Sequence, residues 1–475
     1  MLKFAYGALT NFRKIFRCQT TWLIFCSVVL GFMGAGDMIG VTSFCRFWGL
    51  DVKAYHSFLH FFRISPWSIN QLVFCWGAFV LSQQETILVN GRAILMGDHT
   101  FVPKDGCRMP GVVSVHQNSE TQSKPSYFRG HCWGAIGLLI GSMSAPFCLP
   151  VSLAIHQGFI HIGADEKQNE NKTTMGSGIV QMAIDFAISH SLPCIMILDA
   201  FFPTGKVFQL AASVYSIQLR APLVTLIVRA KKSYVAYFEP EESDQKPRGR
   251  KRKYGNKIKL METFDHTDRF SEESCKLYGR KENISISAAD LLWKPAGCLI
   301  RFVFAVTSRG NIVLMCSDLS LDPITALELY CTRPRIECMF DMLKNLIGAF
   351  CYRFWTKKLP MHSRKPKKNS KLKAPAAEDL YTVSRCWIAC ERFVMLGAIA
   401  LGLLQLIALK LGSSVWEEYD GFLRTRSRSL PSERTVRYVF ARSLKANFRN
   451  LASDAILQKI RKQFIKRGFV RKKAP

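Results

Sequence analysis

Between Ala93 and Ala230 the chain sets an order of element types that few folds accept. The stretch "AILMGDHTFVPKDGCRMPGVVSVHQNS" reads as an apolar strand, a "KDG" turn and a second strand. "GHCWGAIGLLIG" supplies a third apolar segment, so this part predicts an antiparallel meander. In "GSGIVQMAIDFAISH" Ile179, Met182, Ala183, Phe186 and Ala187 share one face at helical spacing, which predicts a helix. "PCIMILDAFF" then predicts a fully buried strand, a short helix follows over 207–214, and "PLVTLIVRA" predicts another strand. A meander followed by helix, strand, helix and strand is an α/β order with the later strands parallel.

The flanking texture divides the rest. Residues 1–88 are helix-rich with turn signals such as "GAGD" and "RISPWS" and predict a helical N-terminal region. The first part of the α/β core covers 89–230, a basic, β-rich insertion 231–320, and the second part of the core 321–356. Within the insertion, "CLIRFVFAVTSRGNIVLMCSD" predicts a strand pair turning at "SRGN". Residues 357–379 form a basic linker, and 380–475 a helical C-terminal region.

Charge narrows the partners. Lys and Arg number 65 against 35 Asp and Glu, a formal net charge of +30 over 475 residues. Basic side chains that neutralise phosphates release counterions, so nucleic acid leads as a partner and an anionic membrane surface is second. The stretch "KPRGRKRKYGNKIKL", with Arg250, Lys251, Arg252 and Lys253 at its centre, reads as a phosphate-contacting insertion or as a solvated loop. The 16 cysteines contain no Cys-x-x-Cys pair and read as reduced, mostly buried small hydrophobes. His131-Cys132 and Cys386/Cys390 lack the second half of a zinc site. The apolar core of the segment 20–40 falls short of the roughly 20 residues a bilayer crossing needs. The longer run 393–412 carries Gln405 and Lys410, follows Glu391-Arg392, and reads as an internal helix at least as easily as a span.

With acids scarce, their placement matters. Asp98 ends the strand "RAILMGD" and Asp199 the strand "CIMILD", where ligands of α/β sheets bind; each could equally be a turn former or cap. Glu337 lies in "LELYCTRPRIECMFDMLKNLIGAF", which also carries Tyr330, Arg333 and Lys344 within an arc of about 60° at helical spacing. Such a stripe is either the wet side of an amphipathic helix or part of a site. Three converging carboxylates repel one another unless a cation lies among them, and hard oxygen ligands suit Mg²⁺ or Mn²⁺. In a basic chain, such a set points to phosphodiester chemistry. Pro334 predicts a helix start there, with Tyr330 and Arg333 in or before its cap; Glu328 and Arg335 are nearby substitutes.

The Tyr330, Arg333, Glu337, Lys344 segment resembles the Y-(2)-R-(3)-E-(6)-K signature of bacterial insertion-sequence transposases with a DDE triad. "GDHTFVPKDGCRMPGV", "YFRGHCWG", "ILDAFF" and "PRGRKRKYGNKIKL" resemble the same proteins, in the same order, over about 91–360. The resemblance implies a ribonuclease-H-like mixed sheet flanked by helices, interrupted by a β-rich insertion before the Glu-bearing helix. It implies that Asp98, Asp199 and Glu337 are catalytic and hold two Mg²⁺ ions, Mn²⁺ being possible, for in-line displacement by water or a 3′-hydroxyl. Tyr330, Arg333 and Lys344 would contact DNA, the helical termini and basic insertion would bind inverted-repeat ends, and the freed 3′ ends would be joined to target DNA. A homodimer on double-stranded DNA, cytoplasmic and nucleoid-associated, with no membrane, is the expectation. The alternatives are an inactive or domesticated DNA-binding relative and a multipass membrane protein.

Overall fold

Capped helix starts mark where the sequence changes period. The computed structural model describes residues 1–116, 127–156, 174–217, 220–240, 252–364, 375–422, 429–449 and 455–470. Helices α1 (Leu2–Thr10), α2 (Gln19–Gly34), α3 (Val41–Trp48), α4 (Val52–Arg63) and α5 (Ile69–Leu81) come first. Strands β1 (Leu88–Val89), β2 (Arg92–Pro103), β3 (Val113–His116), β4 (Tyr127–Ile140) and β5 (Phe147–Ile155) follow. Then come α6 (Met175–His190), β6 (Cys194–Leu198), α7 (Gly205–Ser213), β7 (Tyr215–Ser216), β8 (Ala221–Pro222) and β9 (Val224–Arg229). Thr174 caps α6 by accepting from the Ser177 amide at 3.1 Å, and Thr204 caps α7 in the same way.

The predicted basic insertion is β-rich: β10 (Val235–Tyr237), β11 (Lys257–Lys259), β12 (Ser271–Leu277), β13 (Arg280–Trp293), β14 (Cys298–Thr307) and β15 (Gly310–Cys316). It is not a detached module. β15 pairs antiparallel with β9, so the insertion continues the core sheet, which has 13 strands among the described residues. The chain then forms α8 (Pro323–Tyr330), α9 (Pro334–Asp341), a π-helical turn Met342–Ile347, α10 (Leu380–Lys410), α11 (Gly412–Glu418), α12 (Glu433–Arg449) and α13 (Ala455–Lys466). The protein is therefore α/β, with one large mixed sheet and helices around it.

At the centre of the sheet the order is β5, β4, β2, β6, β9; β2, β6 and β9 are parallel and the β2–β4–β5 meander is antiparallel. β3 departs from the expected hairpin. It pairs with β4 rather than β2, because the residues after Pro103 leave the sheet. α6 packs on one face, where a Cβ at Gly97 would stand 2.4 Å from Ile179 Cγ2; only glycine allows that approach. The neighbouring Asp98 points to the other face, toward α9, by the alternation of a strand.

α10 crosses the middle of the molecule, against β5, α2 and α4. Among the described residues it lies in the one helix, Ala377–Lys410, long and apolar enough to cross a membrane, and 89% of its apolar window is buried inside the structure. Its polar residues are used against the rest of the chain. Glu391 accepts from the Ile155 amide at 3.1 Å, Arg392 donates to the Phe62 carbonyl at 2.9 Å, and Gln405 donates to the Cys148 carbonyl at 3.3 Å. Lys410 pairs with Glu85 at 2.8 Å. All 16 cysteines are unpaired, and His131 is a buried core histidine whose ring contacts Tyr352 Oη and the Pro110 carbonyl.

Trp76 of α5 ties these layers together: its indole donates to the Pro150 carbonyl at 2.8 Å, and a Cβ at Gly402 of α10 would lie 2.4 Å from its ring. Trp76→Ala is expected to lower the unfolding free energy by about 3–5 kcal/mol, measured as a reduced urea midpoint.

Candidate active site

Parallel pairing brings the first two acids together. Met96 of β2 lies opposite Ile197 of β6, so two residues further along Asp98 and Asp199 come level, one strand spacing apart, about 4.8 Å. Each carboxylate turns one oxygen back to the chain: Asp98 accepts from the His99 amide and Asp199 from the Ala200 amide, both at 2.7 Å.

The third acid arrives on α9. The α8 helix begins at Asp322, which accepts from the Thr325 amide at 2.8 Å, with Pro323 in its first turn. It ends at Tyr330, and α9 restarts at Pro334, the break expected of a residue without an amide donor. Arg333 is the residue at the break. Glu337 stands one turn further on, on the same side.

Arg333 gathers all three acids. Its Nη2 lies 2.8 Å from Asp98 Oδ2 and 3.4 Å from Asp199 Oδ2, and its Nη1 lies 2.5 Å from Glu337 Oε1. The side chain is only 15% exposed, and its Nε has no hydrogen-bond partner among the described residues. Burial pushes the Asp98 carboxyl up to about 6, against the pull of Arg333 and the His99 amide; the nearby Asp199 and Glu337 charges push the same way as burial. Burial opposes the charge on Arg333, but the three acids outweigh it and hold the guanidinium above its ordinary value.

Beneath the site, on the α6 face, His99 Nε2 lies 2.9 Å from His156 Nδ1, and the His99 ring stacks on Phe202. Burial lowers His99 to about 3, helped by His156, and lowers His156 to about 4, so both rings are neutral. The sequence reading missed this pair. The adjacency of His99 to Asp98 was visible, but His156 follows β5 and could be paired with it only through the sheet.

The other sequence candidates are placed less centrally. Tyr330 is buried at 7% exposure and sits close enough to Asp199 for its phenol to be pushed up by burial and by that charge. Lys344 is exposed on the π-helical turn, which interrupts the α-helical phase assumed between it and Glu337. Arg252 and Lys253 are exposed ahead of β11 and make no ion pair with the three acids; Arg250 and Lys251 lie outside the described residues. Glu328 accepts from the Lys276 amide at 3.1 Å, holding β12, and so is not a substitute for Glu337.

Asp98, Asp199 and Glu337 offer oxygen donors only, around a position already occupied by a positive group, and by donor chemistry they fit a hard divalent cation. As they stand, no group of three His, Cys, Asp or Glu among the described residues is disposed to hold an ion; the acids are arranged around the guanidinium instead. No family model matches this sequence, and no curated protein matches it.

Because Asp98 is raised in the folded state, from 3.8 to about 6, its contribution to stability is full below 3.8 and is lost as pH rises through about 6. Removing the guanidinium takes away the interaction that pulls Asp98 down. In EDTA, Arg333→Met is therefore expected to destabilise by about 3 kcal/mol near pH 8 and by clearly less near pH 5, measured by urea unfolding at both.

Proposed function

We propose that this protein is a DNA transposase of the DDE type, a metal-dependent endonuclease and strand transferase with a ribonuclease-H-like core. The observation that carries the reading is the convergence of Asp98, Asp199 and Glu337 on one positive group. The order β5, β4, β2, β6, β9, with a meander leading into two parallel strands, supports the fold assignment. The net charge of +30 supports DNA as substrate.

Asp98, Asp199 and Glu337 would hold two Mg²⁺ or Mn²⁺ ions, which when bound supply activation of the attacking oxygen and charge stabilisation at the leaving one. The chain's own contribution is positional. Backbone amides fix one oxygen of each aspartate, leaving the other to face the site. Arg333 has a planar fork that suits either carboxylates or a phosphate, but not both at once. Its release from the acids would therefore coincide with a grip on the DNA backbone near the cut. Lys344 would act as a point charge on the same backbone, and Tyr330, being buried, would support Arg333 and Asp199 rather than stack on a base. Double-stranded transposon ends and target DNA are the proposed partners, bound by a homodimer that brings two ends together.

The position of Arg333 favours one second reading: a relative that binds DNA but cuts nothing, with the guanidinium serving permanently as the cation among the acids. One experiment separates the two. Purified protein is incubated with Mg²⁺ or Mn²⁺ and DNA spanning the ends of its own element. The wild type is expected to nick the ends, and Asp98→Asn, Asp199→Asn and Glu337→Gln each to lose roughly 10²–10³-fold or more in rate. Wild type cutting no faster than Asp199→Asn would leave the second reading standing.

A further inference from the structure

After the π-helical turn the chain runs extended and alternates in burial. Tyr352, Phe354 and Thr356 are buried, whereas Arg353, Trp355 and Lys357 are exposed. Two positively charged side chains therefore flank an indole on one side of the segment, at the two-residue repeat of an extended chain. The segment is fixed from below. Buried Lys104, from the "KDG" stretch, donates to the Phe350 carbonyl at 2.6 Å and the Tyr352 carbonyl at 3.1 Å and lies over the Tyr352 ring. The Thr356 and His362 amides donate to the Arg108 and Cys107 carbonyls. The stretch read from sequence as a hairpin turn is thus the bed of another structure.

Three cavities adjoin along this segment. The first, of about 730 Å³, has Arg108, Arg353, Trp355, Met361 and Arg364 among its walls. The second, about 350 Å³, shares Arg353 and Trp355 with it and adds Tyr55, Arg63 and Lys357. The third, about 450 Å³, shares Leu59 and Arg63 with the second and adds Tyr381 and Arg385. Together they form one trough, running from the "KDG" stretch past α4 to the start of α10. Asp105 is its one acidic wall residue among the described residues. Arg63, Arg353 and Arg385 make no ion pair with a described carboxylate.

Two features identify what fits. Uncompensated positive charge along a groove calls for a polyanion. Trp355 is 52% exposed and Tyr381 66% exposed, and the Arg385 guanidinium lies 4.8 Å from the Tyr381 ring centroid. Exposed aromatic faces between cations gain most from unpaired bases, since the bases of a duplex are already stacked on each other. The concavity disfavours a bilayer, whose flat surface cannot follow the floor of a trough, whereas a single strand can. We propose that this trough binds single-stranded nucleic acid, with phosphates on Arg63, Arg353 and Arg385 and bases on Trp355 and Tyr381. The six residue steps from Asp98 to Lys104, mostly along β2, set its mouth roughly 20 Å from the carboxylates, within reach of a strand that passes them. The site uses none of the carboxylate residues, so it stands or falls independently of the proposed chemistry.

The test is fluorescence anisotropy with labelled oligodeoxyuridylate and oligouridylate in EDTA, where no cutting takes place. Wild type is expected to bind at least one of them, and the tighter one names the sugar. Trp355→Ala and Tyr381→Ala, both exposed positions, are each expected to weaken binding roughly 5- to 100-fold with the salt dependence unchanged. Arg353→Ala is expected to reduce the slope of log affinity against log salt by about 0.7. Wild-type affinity in all three variants would overturn the proposal, even if the protein cuts DNA. So would tighter binding to anionic phospholipid vesicles than to either oligonucleotide, or binding confined to duplex and indifferent to Trp355.

Discussion

Two aspartates on neighbouring parallel strands and a glutamate on the facing helix bring three carboxylates to one place, and Arg333 lies among them, within 3.4 Å of each. The arrangement depends on a break in the chain. Had α8 run on through residues 331–333 as one helix, Arg333 would be a mid-helix residue. Pro334 instead restarts the helix, leaving Arg333 at the junction with its guanidinium directed at β2 and β6. One side chain thereby serves three acids that come from two strands and a helix.

Much of the core order was legible because it rests on local patterns. The all-apolar run of β6, the helical face of α6 and the turn between β14 and β15 are signals confined to a few residues, and the structure forms these elements where the patterns lie. The start of α9 followed from a single proline. What stayed hidden depends on contacts distant in sequence. Nothing local shows that β15 docks on β9, which turns an apparent insertion into part of the sheet, or that β3 belongs to β4. Charge and aromaticity are also silent about direction: Tyr330 carried the same signature in sequence whether it faced DNA or, as here, the protein interior.

The candidate site shows the same division. The three acids could be chosen from sequence because acids are scarce and two of them follow apolar runs; Asp199 does stand at the end of its strand, whereas Asp98 lies inside β2, which continues to Pro103. Arg333 was named as well, but for a phosphate; its contact with all three acids emerges only when β2, β6 and α9 meet. The trough was less visible still. Its walls come from α4, from 103–109, from 350–364 and from the start of α10, segments that sequence spreads over five different regions.

Those four segments meet because α10 organises the terminal regions around the sheet. An apolar helix of this length would be costly in water, and it is covered by α2, α4 and β5, with Arg392 bonded to the carbonyl that nearly ends α4. Holding α4 against α10 fixes Arg63 beside Arg385, and Lys104 fixes the 350–352 backbone beneath Arg353 and Trp355. The alignment of positive charge therefore rests on buried contacts rather than on surface side chains, which repel one another and could not hold a groove open in register by themselves. The N-terminal helices therefore belong to the same packed unit as the sheet and α10. They form one wall of a surface whose other walls belong to the sheet's own loops and to α10, so a strand lying in it touches all three at once.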